Sequence, residues 1–131
     1  MPVLSPVLLQ EDKGEAILLN QRDEQRRINE ALREFEPLQR RAVNHIPVET
    51  NQSKAHFFEI CRQAWELKLA GYSFIVNAKL TKKRGRPDIT VLGPGVPYAI
   101  EVVDSEETES IKTKKEKYPF SIEVTHVRGT D

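Results

Sequence analysis

The sequence has a single cysteine, no excess of either charge and no long apolar run. Cys61 alone excludes an intrachain disulfide or a thiolate zinc cage, and a lone cysteine is typical of a reducing compartment. Twenty lysine and arginine residues balance twenty aspartate and glutamate residues, which excludes a polycation that coats nucleic acid indiscriminately. No run reaches the length of a membrane span. We therefore expect a cytoplasmic protein with no membrane contact, and any binding of DNA has to come from local basic clusters.

The first fifty residues predict a charged helix ahead of a folded domain. Residues 21–41 are mostly charged, and Pro37 should bend or end the helix. Its narrow apolar stripe consists of Ile28, Leu32, Phe35 and Leu38. We predict an N-terminal extension over residues 1–50 and a domain over residues 51–131. Because one thin stripe buries little by itself, this helix should either pack on the domain or form a homodimer or partner contact.

Hydrophobic periodicity after residue 52 predicts alternating helices and strands. Apolar residues at helical spacing predict a helix capped by Ser53 and ended by Gly71, with Phe58 and Trp65 widening its apolar face. Branched and aromatic residues predict strands, and a mostly polar helix precedes the last one. The predicted strands cover residues 72–80, 87–92, 98–103 and 121–127, and the polar helix covers residues 106–117. This α-β-β-β-α-β order predicts an α/β fold with helices packed on a mixed sheet.

The stretch GRPDITVLGPGVPYAIEVVDSEE contains two apolar runs joined by a Gly/Pro turn, with one acid in each run. An acid within an apolar strand is destabilising unless it is paired. If residues 93–96 close a hairpin, Asp88 lies opposite Glu101 on one face, whereas a register shifted by one places them on opposite faces. Two adjacent carboxylates repel unless a cation or a proton lies between them. Mg²⁺ or Mn²⁺ is the expected cation, because such ions prefer oxygen ligands and often bind only one or two carboxylates.

At this point the residues resemble a known family. The segments Arg86-Pro87-Asp88 and Ile100-Glu101-Val102-Val103, in this order of elements, resemble the PD-(D/E)XK superfamily of restriction-endonuclease-like nucleases. The resemblance covers about residues 53 to 127. It implies a restriction-endonuclease-like fold, metal binding by Asp88 and Glu101, and metal-dependent endonuclease activity on DNA.

The lysine that this resemblance implies is absent, because Val103 stands two positions after Glu101. In the family that lysine supports the nucleophile and the charged transition state. Two alternatives follow: the lysine has moved, or the nuclease fold is retained as an inactive DNA-binding or assembly module. Lys115 is the first candidate for a moved lysine, because it lies on the apolar stripe of the polar helix, and Lys79 and Lys114 are the others.

The first helix of the domain offers a further polar group for the site. The resemblance implies an acid or another polar residue at this place. Glu59 lies about 200° around the helix from Phe57, so we expect it to be solvated. His56, at the edge of the apolar face, is therefore the better candidate.

Two basic clusters predict contacts with the DNA backbone. The candidates are Lys79, Lys82, Lys83, Arg84 and Arg86 around the turn before Asp88, and Lys112 and Lys114 on the polar helix. The turn also resembles an AT-hook, which enters the minor groove, but a strand follows it immediately, so phosphate contacts are preferred. A third interpretation, an α/β interaction domain without nucleic acid, requires the two acids to be coincidental.

Overall fold

The computed structural model describes residues 13–103 and 108–127, with side chains described for residues 21–103 and 110–127. The helices in these ranges are α1 (Lys13–Leu32), α2 (Lys54–Leu69) and α3 (Thr108–Lys117); the strands are β1 (Ser73–Val76), β2 (Ile89–Gly93), β3 (Tyr98–Val103) and β4 (Ser121–His126). From α2 onward the order is the predicted one, so the predicted α/β class is confirmed. The start predicted for the polar helix, residues 106–107, lies outside the described residues.

None of the helices in the described ranges is long and apolar enough to cross a membrane.

The four strands form one mixed sheet in the order β1-β2-β3-β4. The β1–β2 and β2–β3 pairs are antiparallel, and β4 runs parallel to β3 because the chain between them crosses over through α3. In the β2–β3 hairpin Ile89 pairs with Ile100 and Val91 with Tyr98. This is the register predicted to place Asp88 opposite Glu101.

The sheet is covered on both faces, so the residues of β2 are buried along its whole length. On one face α2 packs through Ile60, Ala64 and Leu67 against a cluster that includes Ile89 and Ile100. The other face carries a second cluster, formed by Ala31, Phe35, Ile75, Ala78, Leu80, Leu92, Ala99 and Tyr118. The side chains of a strand alternate between faces, so the face that carries Ala99 also carries Glu101.

The segment after α1 belongs to this second core. Phe35 is fully buried, lies 6.0 Å from the ring centroid of Phe120 and forms an isolated β-bridge with Leu80. The predicted stripe therefore packs on the sheet, which was the first of the two alternatives, except that Leu38 is exposed. The helix predicted for residues 21–41 is wrong at both ends. Helix α1 begins earlier, at Lys13, and it ends at Leu32, after which the chain turns and Phe35 enters the core.

Helix α2 agrees with its predicted limits but not with its predicted apolar face. The Ser53 hydroxyl accepts a hydrogen bond of 3.1 Å from the backbone N–H of His56, and Gly71 follows the helix in a left-handed conformation (φ +89°). Phe58 and Trp65 do not extend the core, since 56% and 65% of their surfaces are exposed. Helix α2 therefore contacts the sheet through a narrower apolar face than its sequence predicts.

The strand predicted for residues 72–80 is shorter in the structure. It ends at Val76 because Asn77 adopts a left-handed conformation (φ +54°) and its backbone N–H donates to the Asp88 carbonyl at 2.9 Å. This contact ties the end of β1 to the residue that precedes β2. It therefore helps to hold Asp88 in place.

Candidate active site

Asp88 and Glu101 lie side by side where β2 begins and β3 approaches its end. The backbone N–H of Asp88 donates to Glu101 Oε2 at 3.0 Å, and the backbone N–H of Val102 donates to Asp88 Oδ2 at 2.8 Å. Glu101 is 1% exposed, and the Asp88 side chain is 18% exposed. The predicted opposition of the two acids is confirmed, and it puts two carboxylates where water has little access.

Burial raises the pKa of Asp88 to about 6, and the negative charge of Glu101 acts in the same direction. The hydrogen bond from Val102 and the nearby Lys114 and His56 side chains oppose this rise in the pKa of Asp88. A buried carboxyl group beside a second carboxyl group favours a bound proton or another cation, because either one relieves the repulsion. Perturbed acids of this kind are more frequent at functional sites than elsewhere.

Lys114 is the lysine that reaches the acid pair, with its Nζ atom 2.6 Å from Glu101 Oε1. The first candidate, Lys115, is exposed, so the preference for Lys115 is corrected to Lys114. Spacing does not separate the two, because both lysines lie three or four positions from Ile111 and Tyr118. In the structure Lys114 is part-buried on the face turned toward the sheet, whereas Lys115 is exposed. Lys79 is also exposed, and its Nζ atom lies 4.0 Å from Glu36 Oε2 instead of near the acids.

His56 enters the site from α2, as predicted. Its Nε2 atom lies 3.1 Å from the Val102 carbonyl oxygen and 3.6 Å from Asp88 Oδ1, and its Nδ1 atom lies 3.0 Å from Gln52 Oε1. Because a carbonyl oxygen only accepts, the His56 tautomer with a proton on Nε2 donates to the Val102 carbonyl. His56 therefore supports the edge of β3 next to the acids.

Glu59 is buried, with 4% of its surface exposed, and the expectation that it is solvated is wrong. Both of its carboxylate oxygens accept hydrogen bonds from Arg62, and Gln63 Nε2 donates to Glu59 Oε2 at 2.9 Å. Gln63 Nε2 also lies 3.3 Å from Thr125 Oγ1, so Gln63 links Glu59 to β4. The spacing of three between Glu59 and Arg62 is the one sequence signal that indicates this ion pair.

The predicted DNA contacts divide into cations that the fold uses and cations that remain exposed. Arg84 belongs to the first group, since its Nη2 atom donates to Glu34 Oε1 at 2.9 Å and to Thr81 Oγ1 at 2.8 Å. Arg86 is half exposed, with Nη1 3.4 Å from Glu49 Oε1. The exposed lysines are Lys79, Lys82, Lys83 and Lys112. Arg84 is thus bonded within the fold, and the predicted contacts of this cluster with DNA stay predictions.

A groove of about 410 Å³ lies between the basic turn, defined as residues 82–86, and helix α3. The cations along it are Lys83, Arg84, Arg86, Lys114 and Lys117. Lys114 belongs to both the groove and the acid pair, so the two features are continuous. Tyr118 also lines the groove, and burial raises the pKa of its hydroxyl, with the charges of Glu101 and Asp88 adding to the effect. A larger hollow of about 670 Å³, beside Gly93 and Pro94, lies at the other end of β2 from the acids.

The donor atoms at the acid pair fit a hard divalent cation. Asp88 and Glu101 offer carboxylate oxygens, and Mg²⁺ and Mn²⁺ prefer such ligands. The described residues contain no group of three or more His, Cys, Asp or Glu placed to hold a metal. Mg²⁺ does not require such a group, because in phosphate chemistry one or two carboxylates with water and phosphate are often enough. Asp88 Oδ1, at 3.6 Å from His56, is beyond hydrogen-bond distance of that ring and has capacity for a further ligand.

Thr90 adds a second sign that polar atoms at this place lack partners. It follows Asp88 on the same face of β2 and is 1% exposed, and its hydroxyl has no hydrogen-bond partner within the described residues. A buried hydroxyl without a partner is rare in folded proteins and indicates a place for water or a ligand.

Comparison of the chain with protein-family models, with curated proteins and with solved structures gives no match in any of the three. The function is therefore inferred from the geometry of the site.

Proposed function

We propose that this protein is an endonuclease that hydrolyses phosphodiester bonds in DNA with Mg²⁺ or Mn²⁺ held by Asp88 and Glu101. The observation that carries the proposal is the distance of 2.6 Å between Lys114 Nζ and Glu101 Oε1. It brings an ammonium group to the acid pair, which Val103 cannot supply. In this proposal Lys114 is the moved lysine of a PD-(D/E)XK nuclease. The α-β-β-β-α-β order and the mixed sheet support the proposal of a restriction-endonuclease-like fold.

The residues of the site have distinct roles in this proposal. Asp88 and Glu101 hold the cation, which when bound supplies the Lewis acidity that activates water and offsets the negative charge developing at phosphorus. Lys114 donates to Glu101 Oε1 and presents a positive charge toward the phosphate. His56 supports the β3 edge through the Val102 carbonyl, so that the two carboxylates stay at fixed positions.

A second candidate is a nuclease fold that binds DNA or assembles with a partner without cleavage. Val103 favours it, because the lysine that the resemblance implies is absent from that position. Asp88 argues against it, since burial and the neighbouring Glu101 raise its pKa. A protein that only binds a polyanion gains nothing from two repelling carboxylates beside its basic groove.

The test is cleavage of linear, supercoiled and branched DNA with Mg²⁺ or Mn²⁺. Asp88→Asn, Glu101→Gln and Lys114→Met should each lower the rate by about 10²-fold or more, the effect typical of losing one charge-stabilising group. Lys115→Met is the matched control, because it removes the same charge from the adjacent, exposed position of α3 and should retain the wild-type rate.

Two results would contradict the proposal. Cleavage by Asp88→Asn and Glu101→Gln at the wild-type rate would show that these two acids do not form the active site. A complete lack of cleavage with every metal and substrate, together with wild-type DNA binding, would favour the second candidate.

A further inference from the structure

The basic turn has a shape that its residues do not adopt without support. Lys82 and Lys83 both have left-handed backbones, with φ of +58° and +55°. Such a conformation is uncommon for residues other than glycine and costs on the order of 1 kcal/mol or more at each position. Gly85 has φ of +119°, and a Cβ atom there would lie 3.1 Å from Tyr118 Cε1. The turn is therefore held in a strained form, close against Tyr118.

Arg84 supplies the support. Its Nη2 atom donates to Glu34 Oε1 at 2.9 Å and to Thr81 Oγ1 at 2.8 Å, and its Nε atom donates to the Thr81 carbonyl at 3.0 Å. The backbone N–H of Thr81 in turn donates to the Glu34 carbonyl at 2.9 Å. These bonds fasten the turn to the chain that follows α1, and they direct the guanidinium group toward the protein.

The other cations along the groove make fewer hydrogen bonds and ion pairs with the rest of the protein. Lys83 and Arg86 lie on the side of the turn, and Lys114 and Lys117 lie on the side of α3. Among the described residues, Lys83 and Lys117 have no acidic side chain within ion-pair distance, and both are exposed. Since the chain as a whole has no net charge, this concentration of positive charge is local.

The groove lacks a platform for bases in the part of the chain that the structure describes. Tyr118 is the aromatic residue along it, and only 7% of its surface is exposed. Proteins that grip single strands stack bases on exposed rings, and this groove offers only cations and the hydroxyls of Ser110 and Thr113. Its chemistry suits phosphate and sugar instead of bases.

We infer that this groove binds the sugar-phosphate backbone of nucleic acid beside the acid pair through Lys83, Arg86 and Lys117, and that Arg84 is a positioning residue that presents the turn without touching phosphate. The choice of nucleic acid as the ligand rests on the proposed function. The division between contacting and positioning cations rests on the hydrogen bonds of Arg84.

The first experiment measures equilibrium binding of a short fluorescent DNA duplex over a series of KCl concentrations in EDTA. Each lost phosphate contact should reduce the slope of log K against log[salt] by about 0.9. Lys83→Gln and Lys117→Gln should each show this reduction and bind about three- to tenfold more weakly near 0.1 M salt. Lys68→Gln, at an exposed position of α2 on the opposite face of the sheet, is the control and should match the wild type.

The second experiment separates positioning from contact at Arg84. If Arg84 positions the turn, Glu34→Ala should weaken duplex binding although it removes a negative charge, and adding Arg84→Gln to Glu34→Ala should weaken it little further. If Arg84 contacts phosphate, Glu34→Ala should strengthen binding by freeing the guanidinium group, and this result would overturn the positioning role. Far-UV circular dichroism and thermal unfolding check that each variant is folded.

Several results would overturn the inference without affecting the proposed function, because binding in EDTA involves no hydrolysis. They are wild-type affinity and slope in both lysine variants, no duplex binding by the wild type, or tighter binding of a single strand than of the duplex. Conversely, salt-dependent binding through the groove without cleavage in Mg²⁺ or Mn²⁺ would contradict the proposed function alone.

Discussion

The backbone N–H of Asp88 donates a hydrogen bond of 3.0 Å to the Glu101 carboxylate across the β2–β3 hairpin. The backbone N–H of Val102 donates a hydrogen bond to Asp88 Oδ2, so both carboxylates are fixed at the same end of the sheet. A buried and a largely buried acid on the same face of a hairpin destabilise the fold when both are ionised. Locally unfavourable arrangements of this kind are concentrated at functional sites, and their energetic cost can be measured here.

The stability of the wild type should depend on the charge of Asp88. Because its pKa is raised from 3.8 to about 6, the native state binds more protons than the unfolded state between these values. The free energy of unfolding should therefore fall as the pH rises through about 4 to 6, by on the order of 2–3 kcal/mol from this group. Asp88→Asn keeps an acceptor for Val102 and should be more stable than the wild type above pH 6. Urea unfolding of both proteins across this range measures the difference, and a variant that is less stable at pH 7.5 would contradict the prediction.

A divalent cation should stabilise the wild type in the absence of DNA. Mg²⁺ or Mn²⁺ that binds only the folded protein raises the free energy of unfolding by about 2.7 kcal/mol at a concentration of 100 Kd. The effect should be larger at pH 8 than at pH 5.5, since protons compete for Asp88. Thermal unfolding with and without EDTA should detect it in the wild type and in Glu66→Gln, which alters an exposed acid on α2. Asp88→Asn and Glu101→Gln should lose most of the shift; an undiminished shift in both would place the cation elsewhere.

The ion pair between Lys114 and Glu101 should contribute to stability. Lys114→Met leaves the carboxylate of Glu101 at 1% exposure without its ammonium partner, and we expect a loss of about 1–3 kcal/mol in urea unfolding. Lys115→Met should change the free energy of unfolding by less than about 0.5 kcal/mol, as for an exposed residue. In the Glu101→Gln background Lys114→Met should have a smaller effect, because the buried charge is gone. Equal effects in both backgrounds would show that the two side chains are not coupled.

Phe35 should be essential for the stability of the sheet, although it lies before the predicted domain boundary near residue 50. Phe35→Ala removes a fully buried ring from the second core and should destabilise the protein by about 3–5 kcal/mol. Leu38→Ala is the control, because Leu38 is 89% exposed and should alter stability little. A Phe35→Ala variant with the wild-type unfolding midpoint would indicate that the residues before 50 form a separate extension.

Some of the site could be predicted because its geometry is local. The register of a hairpin depends on the alternation of side chains and the length of the turn, so the opposition of Asp88 and Glu101, separated by 13 in sequence, follows from the local pattern. The cap at Ser53 and the order of strands and helices also depend on neighbouring residues, and they agree with the structure. The thin stripe before residue 40 indicated a helix but not its end, since the contact of Phe35 with Leu80 decides where the chain turns.

By itself the sequence determined which residues pair within a hairpin, because covalent connection and the period of two leave few registers. Only the tertiary structure decided that Lys114 rather than Lys115 meets the acids, since the helix has few apolar residues to define its buried face and the packing of Tyr118 sets its rotation. The same holds for Glu59, buried beside Arg62 and Gln63, and for Arg84, bonded to a residue fifty positions away. Contacts between distant segments depend on how the helices pack on the sheet, and no local pattern of residues specifies that packing.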